Sequence, residues 1–213
     1  MKIFLSVGAT YNEQQEAFVR AFETFLGQNG CERLTVGRGS YFSSQPINSA
    51  KELMQKADAV VVIAFTRQLI QSALDKPNSE QQKELVNEKY PTIWNQMEAA
   101  MAFGLDLPLL MIIESGLKQE AMLKDRLEYR ALLTDLSPEF FNTEEFKGIF
   151  LHWKIKIEGS QKSKNIDIKS LTVGMLLRSL TPSQLWKVSA SIISVLGAVG
   201  GAAYWVGKAL GAP

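Results

Sequence analysis

Residues 91–114 read PTIWNQMEAAMAFGLDLPLLMIIE, a helix joined to a buried strand by a very short connection. Pro91 and Thr92 mark the helix start, and Ile93, Met97, Ala100 and Gly104 recur on one face at helical spacing, which predicts that this face packs inward. Gly104 can adopt the left-handed conformation that ends a helix. Behind Pro108, Leu109 to Ile113 form a continuous apolar run suited to a central strand covered on both faces. Glu98 breaks the pattern. It lies one turn from Trp94 on one side and from Met101 and Ala102 on the other, so a carboxylate is flanked by aromatic and apolar side chains.

Upstream, the chain repeats the same alternation. Lys2 to Val7 form an apolar strand ending at Gly8, and Asn12 can cap a helix with Gln15 reaching back. Phe18, Ala21, Phe22, Phe25 and Leu26 then recur at three- and four-residue steps until Gly27 and the Asn29-Gly30 pair stop the helix. A second strand at about 33–36 runs into Gly37, Arg38, Gly39 and Ser40. That segment reads either as a plain turn or as a loop whose backbone donors cradle an anion. Residues 46–57 predict a helix with Ile47, Ala50, Leu53, Met54 and Ala57 inward, and Asp58 opens the strand AVVVIAF.

Strand and helix in alternation require crossovers, and so predict a parallel sheet with helices on both faces. Ligands of such sheets bind at the carboxyl ends of the strands. This rule gathers residues 7–10, 37–40, 65–67 and the start of the Trp94 helix around one rim. Residues 67–90 are polar without a clean period, and read as a surface helix or a mobile insertion above that rim. Residues 115–136 give no clear element. A helix is expected from Ser137 or Thr143 to about His152, and the alternation at 153–157 is either a last edge strand or the end of that helix. His152 reads as packing.

A net charge of +1, with 46% apolar and 21% charged residues over 213 positions, gives no global pull toward nucleic acid. One cysteine, Cys31, and one histidine, His152, make neither a disulfide framework nor a protein-built zinc site. The N-terminus becomes polar too soon for a secretory signal peptide, which predicts that the N-terminal part folds in the cytoplasm.

Residues 158–169 turn polar and basic and read as a linker. Thr181, Pro182, Ser183 and Gln184 then form a capped helix start. The following residues carry no charge over about 20 positions, enough for a helix to cross the roughly 30 Å hydrocarbon core. Trp186 and Lys187 at one end, and Tyr204, Trp205 and Lys208 at the other, fit interfacial anchors. A buried helix of the globular core is the alternative, since glycines and alanines lower the hydrophobicity of this stretch. In the membrane reading, Lys162, Lys164, Lys169, Arg178 and Lys187 precede the span and only Lys208 follows it. The positive-inside rule then predicts a single-pass inner-membrane protein with its main domain cytoplasmic. Gly197 and Gly201 form a GxxxG pair that Ala190 and Ser194 extend, which predicts self-association. The expected organisation is a domain at 1–157, a linker at 158–180 and a transmembrane helix at 181–210.

The strands KIFLSV and DAVVVIAF, and the Trp94-x-x-x-Glu98 helix followed by a Pro-initiated strand, resemble Toll/interleukin-1 receptor (TIR) and nucleoside 2-deoxyribosyltransferase-like domains over residues 1–114. The resemblance implies a flavodoxin-like, doubly wound parallel sheet. It also implies that Glu98 works at an N-glycosidic bond of NAD or a nucleoside, with Trp94 the matching aromatic. A carboxylate there can stabilise or trap the positive charge that develops on the ribose. Glu98 has an equally simple structural role open to it, as the ion-pair partner of Arg67 or Arg38. The chain departs from the transferase pattern after Phe65, where Thr66 and Arg67 stand in place of acidic residues. Arg67, with Arg38 across the expected rim, favours a phosphate and hence a nucleotide.

Ser6, Gly8, Arg38, Ser40, Phe65, Arg67 and Trp94 are the expected ligand-binding residues. The expected partners are a nucleotide, as substrate or ligand, a membrane and further copies of the chain, with no nucleic acid, no metal and no other cofactor. The leading functional expectation is a membrane-anchored sensor or effector that binds a nucleotide-derived signal and acts through self-association. Resemblance to defence systems places it in bacterial antiphage defence. The alternatives are an NAD glycohydrolase or nucleoside N-glycosidase or deoxyribosyltransferase using Glu98, and a tail-anchored interaction domain without a small ligand.

Overall fold

The computed structural model describes residues 1–38, 45–124, 129–164, 181, 183–187, 189–191, 194 and 211. The chain divides into two compact units, Met1–Gly159 and Ser160–Pro213, and the first of these carries the sheet. Strands β1 (Lys2–Val7), β2 (Glu32–Leu34), β3 (Ala59–Ala64), β6 (Leu109–Glu114) and β7 (Arg130–Thr134) form one parallel sheet in the order β2-β1-β3-β6-β7. Strands β4 (Gln68–Asp75) and β5 (Lys83–Tyr90) pair with each other, antiparallel, outside it. With that hairpin set aside, the strand order is the one flavodoxin-like doubly wound sheets adopt.

The pleat sorts the side chains into two cores. Ile3, Leu5, Val61, Ile63, Leu110 and Ile112 face helices α1 (Glu13–Gln28) and α4 (Glu144–Lys164) in a cluster dominated by phenylalanines. Phe22 is fully buried there, with ring centroids 5.2 Å from Phe141 and 6.4 Å from Phe25. Phe4, Val60, Val62, Met111 and Ile113 face the other way, against α2 (Pro46–Met54) and α3 (Ile93–Gly104). All six residues of β3 are buried, which is why its sequence reads as one uninterrupted apolar run.

Several expectations need correction. The stretch after Arg67, expected as a surface helix or a mobile insertion, is the β4–β5 hairpin, closed at its base by Arg67 N–H donating to Tyr90 O at 2.8 Å. Leu69, Leu74 and Val86 on it are more than half exposed. Because neither strand buries a whole face, neither shows the alternation that betrays a strand. Residues 115–136, unread in the sequence, supply the edge strand β7. The alternation at 153–157 belongs to α4, which continues to Lys164, beyond the start of the expected linker; residues 165–180 lie outside the described residues.

Helix α3 is rotated from its expected face. Asn95, Glu98, Ala99 and Ala102 are its buried residues, whereas Ile93 is 75% exposed. Small alanines let the helix lie close on the sheet, and that closeness outweighs the larger apolar side chains in setting the rotation.

The largest correction concerns the membrane. Among the described residues, no helix is long and apolar enough to cross one. The expected transmembrane helix at 181–210, and with it the single-pass inner-membrane location, finds no support there; most of 181–210 lies outside the described residues. Ala190 and Ser194 are exposed helical positions, and Gly197 and Gly201 lie outside the described residues.

Candidate functional site

Glu98 sits in the first half of α3, facing the carboxyl ends of β1 and β3. Thr92 caps this helix, its Oγ1 accepting from Trp94 N–H at 3.4 Å. One turn before Glu98, Asn95 donates from Nδ2 to Ser6 Oγ on β1 at 3.2 Å and to Ile63 O on β3 at 3.3 Å. Asn95 thus ties α3 to two strands behind Glu98, whose carboxylate faces a cavity.

The cavity, of about 500 Å³, is lined by Val7, Gly8 and Val36, by Arg67 and Gln68 at the start of the hairpin, and by Trp94 and Glu98. Four chain segments that the doubly wound topology brings to one rim build this wall. Gly8 is where the backbone must pass close: a Cβ there would lie 3.2 Å from Thr92 Cγ2. A larger cavity of about 970 Å³, with Arg130, His152 and Lys156 on its wall, opens at the amino ends of β6 and β7. His152 is exposed there instead of packed. That end of a doubly wound sheet is not where ligands bind, and it holds no buried carboxylate, so the smaller cavity is the candidate.

Burial pushes the Glu98 carboxyl up to about 7, against a weaker opposing influence of the nearby Ser6 hydroxyl. Among the described residues Glu98 has no ion-pair partner. Arg38, one of the two partners expected for it, is instead engaged by α1: its guanidinium donates to both carboxylate oxygens of Glu16 and to Glu23, each at 3.1 Å. That fork, with further hydrogen bonds from Thr10 and Arg20, holds the Glu16 carboxyl down at about 2.

Arg67 does reach the rim, where its guanidinium lies 5.3 Å from the centroid of the Tyr11 ring. It also borders a second pocket of about 250 Å³ formed with Tyr11, Gln15, Thr66, Lys89 and Glu114. Burial works against the charge of Glu114, but hydrogen bonds from Thr66 N–H at 2.6 Å and from Lys89 at 3.1 Å outweigh it and hold the carboxyl below its usual range.

The expected site residues therefore separate. Glu98, Gly8, Arg67 and Trp94 share one cavity wall. Ser6 and Phe65 are buried at 1% and 3% exposure and do not line that cavity. Arg38 is bound to α1, and Ser40 lies outside the described residues. Sequence reasoning missed Asn95, Tyr11 and Gln68. A signal existed for Asn95: it stands three residues before Glu98, so whichever face buried one would hold the other.

No family model matches the chain, and no curated protein matches it. Among solved structures it is similar to a CMP N-glycosidase from Clostridium botulinum, with a TM-score of 0.43 and 11% identity, covering 71% of this chain and 99% of that one. It is also similar to a conserved protein from Enterococcus faecalis, with a TM-score of 0.37 and 14% identity, covering 69% of this chain and 97% of that one.

Proposed function

We propose that the protein cleaves the N-glycosidic bond of a nucleotide, with Glu98 as the group that meets the ribose. The observation that supports this above all is a buried carboxylate that, among the described residues, has no ion-pair partner and lies on the wall of an open cavity. A carboxylate kept only for structure is normally neutralised by a partner, because burying it alone costs several kcal/mol (about 3 on the scale of an isolated polar group). Here the cation that would neutralise it is the one forming on the substrate. As the C1′–N bond breaks, its electron pair leaves with the base, which takes a proton from solvent at the open mouth. The ribose carbon becomes electron-poor, and the Glu98 carboxylate bonds to it. Water then attacks C1′, releases the sugar and restores Glu98; a second base in place of water makes the same site a transferase.

Trp94 offers a flat, half-exposed face for the base beside Glu98. Arg67, the one cation on the wall among the described residues, favours a substrate carrying a phosphate. The test is to incubate the full chain with nucleosides, nucleoside monophosphates and NAD and to measure free base. Release that disappears in Glu98→Gln supports the reading, and no release from any of these substrates refutes it.

A further inference from the structure

The side-chain amide of Gln15 joins the two rim segments that carry Tyr11 and Arg67. We propose that Gln15 is a positioning residue for the substrate phosphate, acting by holding Arg67 on the rim over the Tyr11 ring. The inference rests on the reading of Arg67 as the phosphate contact, and its first test needs no nucleotide.

Gln15 stands in the first turn of α1, where a glutamine can reach back to the chain before the helix. Its Oε1 accepts from Tyr11 N–H at 3.0 Å, and its Nε2 donates to Thr66 O at 3.2 Å. A backbone N–H can only donate and a carbonyl can only accept, so these two contacts fix which end of the amide faces which segment. Gln15 is 4% exposed, and bulk water competes little for either bond. A glutamate caps such a helix equally well, but would set an oxygen against Thr66 O. The bond to Thr66 is therefore one that capping alone does not require.

Thr66 immediately precedes Arg67, and it is held from the other side as well. Its N–H donates to Glu114 Oε2 at 2.6 Å, beyond the last β3–β6 pair at Ala64 and Ile113, so a side chain takes over where the ladder ends. Arg67 N–H donates to Tyr90 O at 2.8 Å. With both backbone groups of Thr66 and the next N–H engaged, the Arg67 backbone has little freedom. Its guanidinium lies 5.3 Å from the centroid of the Tyr11 ring, a contact that is weak at an exposed site and depends on where the two backbones stand. Gln15 fixes both. An arginine already held on the cavity wall loses less freedom when it meets a phosphate.

The first test is proton NMR of the Arg67 side chain in the full chain. Its signals should be shifted upfield by the Tyr11 ring, and Tyr11→Leu gives their unshifted positions. Gln15→Met keeps the length of the side chain and removes both hydrogen bonds, and should abolish most of that shift. A shift unchanged in Gln15→Met overturns the proposal. In the second test, ribonucleoside monophosphates and their nucleosides are titrated calorimetrically. Gln15→Met should weaken the monophosphate about threefold or more, the scale of ordering one long side chain, and leave the nucleoside unchanged. Combined with Arg67→Ala it should weaken nothing further, because it acts through that side chain. Equal weakening of both ligands, or losses that add to those of Arg67→Ala, marks a helix cap only and overturns the proposal. Should Gln15→Met fail to fold, the side-chain amide protons of Gln15 in the unaltered protein carry the test. They should exchange slowly with water and lie close to the protons of Thr66; fast exchange overturns it. A shift lost in Gln15→Met in a protein that binds no nucleotide refutes the phosphate reading and leaves the positioning of Arg67 standing. A phosphate preference that survives Gln15→Met does the reverse.

Discussion

The Arg67 guanidinium lies 5.3 Å from the centroid of the Tyr11 ring, at the mouth of the cavity that holds Glu98. Tyr11 precedes α1 and Arg67 opens the hairpin, so the contact ties two rim segments together. The aromatic face orients the cation without neutralising it. Arg38, the other rim arginine expected from the sequence, is forked onto Glu16.

Arg67→Ala and Arg38→Ala should thus have different effects. The first is expected to weaken binding of a nucleoside monophosphate roughly tenfold or more, the scale of a hydrogen bond to a charged group, and to leave binding of the matching nucleoside unchanged. The second should leave both affinities alone and lower stability by about 1 kcal/mol, as for a partly exposed ion pair. Isothermal titration and urea unfolding measure the two effects. Equal loss of both ligands in Arg67→Ala would remove the phosphate from its role.

Glu98→Gln keeps the size of the side chain and removes its charge. Base release should fall by about 10³-fold, as when a group placed at developing charge is lost. In the unaltered protein kcat/KM should rise with pH through about 7, where Glu98 ionises. A rate flat between pH 5 and 9 would show that the ionisation of Glu98 does not limit the reaction.

The same raised carboxyl carries a stability cost of known sign. Its folded value of about 7 stands above the ordinary 4.5, so between these values the folded state binds more protons than the unfolded one. Stability therefore falls as pH rises across this window, and above it the ionised Glu98 costs roughly 3 kcal/mol. Glu98→Gln should be more stable than the unaltered protein at pH 8 and nearly equal to it at pH 4.5. Thermal unfolding at the two pH values decides this, and a variant less stable at both would contradict the burial argument.

Phe22→Ala tests the packing that carries the rim. The ring is fully buried among Phe25, Phe141 and Phe146, and the α1 backbone cannot collapse far enough to fill the space it leaves. A loss of about 3–5 kcal/mol in urea unfolding is expected. A loss below about 1 kcal/mol would mean the phenylalanine cluster repacks freely.

What the sequence determined by itself is the sheet's interior. AVVVIA and LLMII are apolar without interruption because β3 and β6 are covered on both faces, and that burial leaves its mark in every residue of the run. The same holds for the phenylalanines of α1 and for Asn12, whose side chain accepts from Gln15 N–H at 2.9 Å where a cap was read. Glu98 was visible as a carboxylate among apolar neighbours. The hairpin was not, since strands open to solvent on both faces need no alternation, and neither was the rotation of α3, where the closeness allowed by Ala99 and Ala102 prevailed over the larger Ile93 and Met97. Only the tertiary structure could choose between the two arginines, because each is a cation near the rim in sequence and what separates them is distance. Arg38 finds Glu16 and Glu23 on α1, whereas Arg67 finds an aromatic ring. That partition leaves Glu98 with no ion-pair partner among the described residues.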